Sequence, residues 1–256
     1  MWKKIRISIL SLILAYVSIG AYQDTHHNWD KHTKIVLHPI NMDGQEATQK
    51  YIDSLTEKHF EPMETFVKEN SIKYRNKEIN FEVVLGDQVY RKPRLPNEET
   101  AASMLKVILW SLEFRFFGVW NYKADDWGSS SVMYLAYYNP KTTDELSRST
   151  ALERGRVGVV NLYVGETGTN NHIILHETFH TFGGEDRYDS DTGVPIHPQG
   201  YAEPNKVPLF PQKKAEIMGG YILVNDRDIL VPTSLDEVMM NEVTAQEIGW
   251  IKKSRI

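Results

Sequence analysis

Three histidines recur at four-residue intervals in the segment HIILHETFHTFGGEDRYD, which covers residues 172–189. Residues four apart on an α-helix lie on one face, about 6 Å apart along the axis. The imidazoles of His176 and His180 can therefore reach one metal ion with bonds of about 2.0–2.1 Å. Glu177 follows the first of them and can point at a water molecule on that ion. This spacing predicts two metal ligands and a general base for metal-assisted hydrolysis.

The first histidine of the segment is not expected to bind the same ion. His172 lies eight residues before His180, which corresponds to about 12 Å of helix rise and exceeds two metal–nitrogen bonds. We interpret His172 as a partly exposed polar residue near the start of the helix.

A third ligand has to come from the acidic residues that follow the helix. The glycines at 183–184 can adopt the left-handed conformation that ends a helix and turns the chain back toward the metal. Glu185, Asp186 and Asp189 are the carboxylates that such a turn can bring back. The spacing alone leaves these three candidates open.

Residues 176–186 read HETFHTFGGED and resemble the H-E-x-x-H-x-x-G-x-x-H motif of the metzincin metallopeptidases. This chain has Asp186 where the common motif ends in His, which is similar to the snapalysin-type branch of the family. Tyr188 matches the tyrosine that this branch carries two residues later. The segment EIMGGY, residues 216–221, resembles the metzincin methionine turn, with Met218 as its methionine.

The resemblance implies a zinc-dependent metalloendopeptidase that acts on a protein or peptide substrate. His176, His180 and Asp186 would hold one catalytic Zn²⁺, and Glu177 would activate the zinc-bound water. Met218 would pack beneath the ligands. Tyr188, in the same resemblance, would approach the metal or stabilise the oxyanion.

The resemblance also implies an α+β fold in two parts. A mixed twisted sheet with a backing helix and an active-site helix would form an upper subdomain at about 33–183. An irregular lower subdomain at about 184–256 would contain the methionine turn and short C-terminal helices. Extended substrates would pair with the edge strand of the sheet.

Other readings of the same residues remain as alternatives. Glu203 or Glu216 would be the third ligand of a gluzincin-type site, although the prolines at 204, 208 and 211 disfavour the helix that such a site needs. Asp186, Asp189, Asp191 and Gly193 weakly suggest a Ca²⁺ loop, without the spacing of an EF-hand.

An exported protein that binds a metal or a partner through a metzincin-like fold without catalysis is the alternative function. Such a protein has no need of Glu177, so the presence of this glutamate favours the enzyme.

Hydrophobic periodicity predicts the elements that position the motif. Strands are predicted at 33–40, 79–90, 130–138 and 155–165, and helices at 46–70, at 98–117 and over the histidine segment. Asn97 is the expected N-cap of the helix at 98–117, and Asn170 or Asn171 that of the site helix. Ser234 and Thr244 resemble the first residues of capping boxes near the C-terminus.

The N-terminus has the layout of a secretory signal peptide. The basic segment MWKKIR precedes the uncharged apolar run ISILSLILAYVSIGA, which ends in small residues. We predict a signal peptide at 1–21 and a catalytic domain at 22–256. The protein would be secreted, without stable membrane association once the signal peptide is cleaved. An uncleaved anchor at the outer face of the membrane is the alternative, and a short propeptide at 22–32 is left open.

Composition limits the chemistry further. With 41% hydrophobic and 25% charged residues, the 256-residue chain is typical of a globular protein. Its net charge of −5 gives no reason to expect a nucleic-acid partner. The chain contains no cysteine, so any metal ligands must be histidine, carboxylate or tyrosine side chains.

Overall fold

The structure is a computed structural model that describes residues 2–97, 100 and 102–252. The first residue of the predicted signal peptide, the predicted helix start at 98, 99 and 101, and the last four residues of the predicted domain lie outside the described residues.

Six α-helices and nine strands are defined in this part of the chain. The helices are α1 (Trp2–Thr25), α2 (Glu46–Asp53), α3 (Glu61–Arg75), α4 (Met104–Trp120), α5 (Thr167–His180) and α6 (Glu242–Glu247). The strands are β1 (Thr33–Asn41), β2 (Phe81–Leu85), β3 (Ser131–Tyr138), β4 (Thr150–Leu152), β5 (Val157–Tyr163), β6 (Ala215–Glu216), β7 (Ile222–Leu223), β8 (Ile229–Leu230) and β9 (Val238–Met239).

A five-stranded sheet in the order β2-β1-β3-β5-β4 forms the centre of the molecule. The first four strands in this order are parallel, whereas β4 runs antiparallel to β5. The predicted α+β class with a mixed sheet is therefore confirmed. Beyond α5, the described residues form two-residue strands, a 3₁₀ turn at Leu235–Glu237 and the short helix α6.

Both faces of the sheet are covered by helices. In β3, Met133, Leu135 and Tyr137 point into one core and Tyr134 and Ala136 into another. Because parallel strands of this kind are buried on both sides, their sequences are almost continuously apolar instead of alternating. This explains why 130–138 and 155–165 were recognisable as strands.

Helices α2, α3 and α5 cover one face, and α4 covers the other. Ile52, Met63 and Phe179 represent the three helices in the larger core. Trp110 and Phe114 of α4 belong to the smaller core on the opposite face.

The predicted helix at 46–70 is wrong in its continuity, because the chain breaks into α2 and α3. Thr56 and His59 form a capping arrangement between them, with a bond of 3.1 Å from the Thr56 N–H to His59 Nδ1. Pro62 then occupies the first turn of α3, where its missing N–H costs nothing.

The carboxamide of Asn97 accepts the Thr100 N–H at 3.0 Å, which is the bond expected of an N-cap, and Thr100 is helical. The predicted helix at 98–117 is interrupted at 102–103, because α4 begins only after Ser103. The predicted N-cap of the site helix is wrong. Asn170 and Asn171 lie inside α5, which begins at Thr167 after Glu166. Their side chains donate to the carbonyls of residues 163 and 59, so they tie the helix to its neighbours instead of capping it.

The C-terminal capping predictions shift in register. Asn241 caps α6 by accepting the Thr244 N–H at 2.9 Å, so Thr244 lies in the first turn and is not the cap. Ser234 precedes a 3₁₀ turn at Leu235–Glu237 without a side-chain cap.

Trp29 anchors the segment at 27–32 to the folded core. Trp29 is 4% exposed, and its ring lies 4.6 Å from that of Phe182 and 5.6 Å from that of Trp250. Its indole N–H donates to the Ile248 carbonyl at 2.6 Å. These contacts place the segment against the C-terminal ends of α5 and α6. Within the described residues, none of the helices combines the length and the apolar character needed to cross a membrane.

Candidate metal centre

Helix α5 presents an apolar face to the core and a polar face to a cleft. Leu175 and Phe179 of α5 are 0% exposed, and Phe182 just after the helix is 6% exposed. The helix ends where the sequence predicts, because Gly183 has a φ of +95°. The Gly184 N–H then donates to the Phe179 carbonyl at 3.0 Å, which turns the chain back over the end of the helix.

Three predicted ligands meet at one point. His176 Nε2 lies 3.1 Å from His180 Nε2, and Asp186 Oδ1 lies 3.2 and 3.0 Å from these two nitrogens. Ligand atoms that lie about 2.0–2.1 Å from a tetrahedral ion are about 3.3–3.4 Å from one another. The three distances observed here are therefore within a few tenths of an ångström of those in a metal-bound site. The three side chains form a group that could hold a metal ion.

Backbone carbonyls set the orientation of both imidazoles. His176 Nδ1–H donates to the Ile217 carbonyl at 2.8 Å, and His180 Nδ1–H donates to the Gly184 carbonyl at 2.7 Å. Each Nε2 therefore presents its lone pair to the shared point. Two such lone pairs at this distance repel each other unless a cation lies between them, so the donor set fits a bound metal.

The pKa values of His180 and Asp186 also indicate that a positive charge is favoured between these side chains. Burial works against a charge on His180, yet the hydrogen bond to Asp186 and the nearby carboxylate of Glu177 raise its pKa to about 9. Burial would raise the pKa of Asp186, but hydrogen bonds from the two histidines hold it far below its usual range. A proton on His180 thus occupies the place that a metal ion can take.

Glu177 is buried beside the ligands with a free oxygen. The residue is 7% exposed, and its Oε2 has no hydrogen-bond partner among the described residues. Burial raises the pKa of this carboxyl, and the nearby histidines only partly offset that effect. A carboxylate with an unused lone pair and a raised pKa is suited to accept a proton.

The predicted methionine turn lies under the ligands. Met218 is fully buried, and its Cε would lie 3.2 Å from a Cβ built on Gly184, directly beneath the chain that leaves α5. Ile217, its neighbour, supplies the carbonyl that orients His176. The turn therefore positions a ligand as well as filling space.

Glu216 organises this turn, a role that the sequence analysis did not assign. Its Oε2 accepts the N–H groups of Met218 and Gly219 at 2.7 and 3.0 Å. Its Oε1 accepts the Asn241 N–H at 3.2 Å and the Thr244 hydroxyl at 2.8 Å. These four bonds leave no free lone pair for a metal, so the gluzincin alternative through Glu216 is excluded. The sequence signal for this role is an acidic residue two positions before a Met-Gly-Gly turn.

Tyr188 lies in the same cleft. Its ring centre is 6.1 Å from that of His176 and 6.0 Å from that of Tyr221. Burial, with the neighbouring Asp186 and Glu177 carboxylates, raises the pKa of its phenol, which therefore stays protonated. A protonated phenol at this place can donate a hydrogen bond into the cleft.

The cleft has a volume of about 610 Å³. Residues 146–151 form one wall, and Ser190, Gly193 and Tyr221 line the other. Asn161 of β5 holds the first wall in place through a 3.1 Å bond from its amide to the Arg148 carbonyl. The Arg148 guanidinium also donates to the Ser190 carbonyl and so connects the two walls.

Two sequence interpretations of nearby residues need correction. His172 is not partly exposed: it is 3% exposed, lines the cleft, and neither ring nitrogen has a partner among the described residues. Burial, together with the charge of His176, lowers the pKa of His172 to about 3, so it stays neutral.

The suggested Ca²⁺ loop is a hydrogen-bonded turn. Asp189 Oδ1 accepts the N–H groups of Asp191 and Thr192 at 3.1 and 2.9 Å and the Thr192 hydroxyl at 2.8 Å. Asp186 belongs to the metal group instead. The loop thus gives no support to a calcium site.

In comparisons with known proteins, no family model matches this chain and no curated protein matches it.

Proposed function

We propose that this protein is a secreted, zinc-dependent metalloendopeptidase of metzincin type. The observation that carries the proposal is the convergence of His176, His180 and Asp186 at 3.0–3.2 Å beside the unpaired oxygen of Glu177. The chain offers no thiolate, and a set of two imidazoles and one carboxylate suits zinc. The basic and apolar N-terminal segment supports export.

Bound zinc would supply a Lewis acid that polarises a scissile carbonyl and lowers the pKa of a water molecule. Glu177 Oε2 would accept a proton from a water molecule in the cleft, since burial raises the pKa of its carboxyl and this oxygen has no hydrogen-bond partner among the described residues. The same carboxyl group would then donate that proton to the leaving amine. The protonated Tyr188 phenol can donate to the developing oxyanion from the side of the cleft.

Asp186 gives the site a negative charge that a third histidine would lack. Its carboxylate attracts the cation more strongly and reduces the acidity of the water. Metal is expected to leave at acid pH, where the ligands take up protons.

The substrate would bind as an extended peptide along β4. Strand β4 is the edge strand beside β5, whereas the strands predicted at 130–138 and 155–165 both lie inside the sheet. Thr150 and Ala151 line the cleft, so the unpaired side of β4 is available for a peptide backbone.

The proposal is tested by measuring zinc content and peptide cleavage for wild type, Glu177→Gln and the exposed neighbour variant Glu185→Gln. All three should hold one zinc ion, and only Glu177→Gln should lose activity, by about 10²–10⁴-fold. Cleavage of casein and of a peptide library provides the readout. Zinc in the wild type with no cleavage of any substrate would instead favour the non-catalytic binding protein, and undiminished cleavage by Glu177→Gln would remove the assigned base.

A further inference from the structure

Helix α4 is apolar on both of its faces, although only one face packs against other residues that the structure describes. Trp110, Phe114 and Phe117 are 6%, 1% and 9% exposed and pack on the sheet. A helix that is apolar all round is expected to be buried all round. The other face of α4 is exposed.

The outward face forms a continuous stripe. Its seven residues are 48–73% exposed and recur at helical spacing, and they are Leu105, Ile108, Leu109, Leu112, Phe116, Val119 and Trp120. From the first to the last, the stripe is about 22 Å long. Single exposed apolar residues are ordinary, but a contiguous patch of this kind marks a surface that binds something apolar.

Exposed aromatic side chains lie at the C-terminal end of the stripe. Trp120 in the last turn of α4 is 67% exposed, and Tyr122, two residues later, is 54% exposed. The Arg91 guanidinium lies 5.9 Å from the Trp120 ring centre at the end of the helix. Tryptophan and tyrosine with an apolar ring and a polar tip are enriched where a protein meets the boundary between water and lipid.

A second exposed apolar helix ends beside this surface. In α1, Leu10 and Leu12 are 65% and 70% exposed. Asp24, at the end of α1, accepts the Gly155 N–H at 2.7 Å, and Arg115 of α4 lies 3.5 Å from a Cβ built on the same glycine. The two apolar helices thus converge on one turn of the sheet.

The stripe and the metal centre lie on opposite faces of the sheet. Phe114 of α4 packs in the smaller core, whereas Phe179 of α5 packs in the larger one. A flat surface that covers α4 therefore leaves the cleft open to solvent.

We propose that the outward face of α4 lies in the surface of a phospholipid bilayer and holds the domain there with its cleft turned away. The segment at 86–127 has six basic and six acidic residues, so apolar insertion and not attraction to anionic headgroups supplies the affinity. A second copy paired along α4 would cover the stripe but would not require the exposed Trp120 and Tyr122 at its C-terminal end. The binding surface replaces the expectation that the chain leaves the membrane once its N-terminus is cleaved.

The absence of cysteine allows a direct test with the full chain. Leu112→Cys and, as a control in the C-terminal part, Lys213→Cys are labelled with a polarity-sensitive fluorophore and mixed with phosphatidylcholine vesicles. At position 112 the emission should shift to the blue and be quenched by brominated lipid. Both changes should persist when the salt concentration is raised to about 0.5 M. At position 213 neither change should occur. A blue shift without lipid quenching would indicate a second copy, and no shift would indicate a surface exposed to water; either result overturns the proposal.

A double variant tests whether vesicle binding depends on α4 and not on α1. Leu109→Glu combined with Phe116→Glu in the Leu112→Cys background should lower vesicle binding of this face by at least about tenfold. Lys58→Gln combined with Lys213→Gln changes the net charge by the same amount and should have no effect. Unchanged zinc content shows that the variants are folded, and equal lipid quenching in both double variants contradicts the assignment of α4.

Discussion

Helices α4 and α5 lie on opposite faces of one sheet and depart from the usual burial of residues in opposite ways. Helix α5 buries polar groups, since His172, His176 and Glu177 are 3%, 7% and 7% exposed. Helix α4 exposes apolar groups, since Phe116 and Val119 are 63% and 73% exposed. Buried polar and exposed apolar groups are both unfavourable without a partner. We infer that each helix is completed by something outside the chain, a cation for α5 and a lipid surface for α4.

The largest expected effect on stability separates the two faces of α4. Phe114→Ala removes a ring that is 1% exposed and should lower the free energy of unfolding by about 3–5 kcal/mol. Phe116→Ala is the matched control on the same helix, and because its ring is 63% exposed the change should stay within about 0.5 kcal/mol. Urea denaturation without lipid measures both values. Equal losses of stability in the two variants would show that the outward face is buried, and would contradict the difference between the two faces of α4.

The methionine turn should be nearly as sensitive. Glu216→Ala leaves the Met218 and Gly219 N–H groups without their buried acceptor, so we expect a loss of about 3 kcal/mol and weaker zinc binding. Glu242→Ala changes an exposed glutamate at the start of α6 and should be nearly neutral. Denaturation and zinc titration of the two variants test this role, and a stable Glu216→Ala with normal zinc affinity would contradict it.

A pH effect is expected from a buried pair on the α4 side of the sheet. His38 Nε2 lies 2.9 Å from Asp126 Oδ1, and its Nδ1 lies 2.6 Å from the Asp87 carbonyl. Burial alone would lower the pKa of His38, but these hydrogen bonds raise it above its usual value. Its stabilising effect is thus complete below the unfolded pKa of about 6.5 and is lost as the pH rises through the folded pKa.

The free energy of unfolding of wild type and His38→Gln, measured between about pH 5 and 10, reports on the His38–Asp126 pair separately from the metal centre. The stability difference between the two proteins should fall as the pH rises, because His38 binds its proton more tightly in the folded state. A difference that stays constant, or that grows with pH, would mean that His38 does not gain a proton on folding.

The smallest expected effect is an increase in stability. His172→Leu removes an imidazole whose two nitrogens lack partners among the described residues, so the free energy of unfolding should rise by about 1 kcal/mol. Thermal unfolding of the zinc-free protein measures the change. A loss of 2 kcal/mol or more would show that His172 has a partner that the present contacts do not include.

Local sequence patterns predicted much of the fold. The strands around 33–40, 130–138 and 155–165 are continuous apolar runs, and α5 combines an apolar stripe with a glycine end. Such signals depend on neighbours within one element, so a single sequence contains them. The convergence of Asp186 with the histidines followed from the glycine turn together with the family resemblance.

Features that depend on distant contacts were not predictable in this way. Strand β4 has only three residues and exists because β5 pairs with it. His172 lines the same cleft as residues 146–151, which lie more than 20 positions earlier in the sequence. Glu216 reaches Asn241 and Thr244, and no local pattern joins these three positions. The helix caps moved because side chains such as Asn170 found tertiary partners.

Zinc titration of wild type, Asp186→Asn and Glu185→Gln tests the central claim most directly, since it asks whether these side chains hold a metal ion. We predict one zinc ion per wild-type chain, an affinity lower by more than about 100-fold in Asp186→Asn, and no change in Glu185→Gln. Wild-type affinity in Asp186→Asn, or a loss in Glu185→Gln instead, would contradict the account.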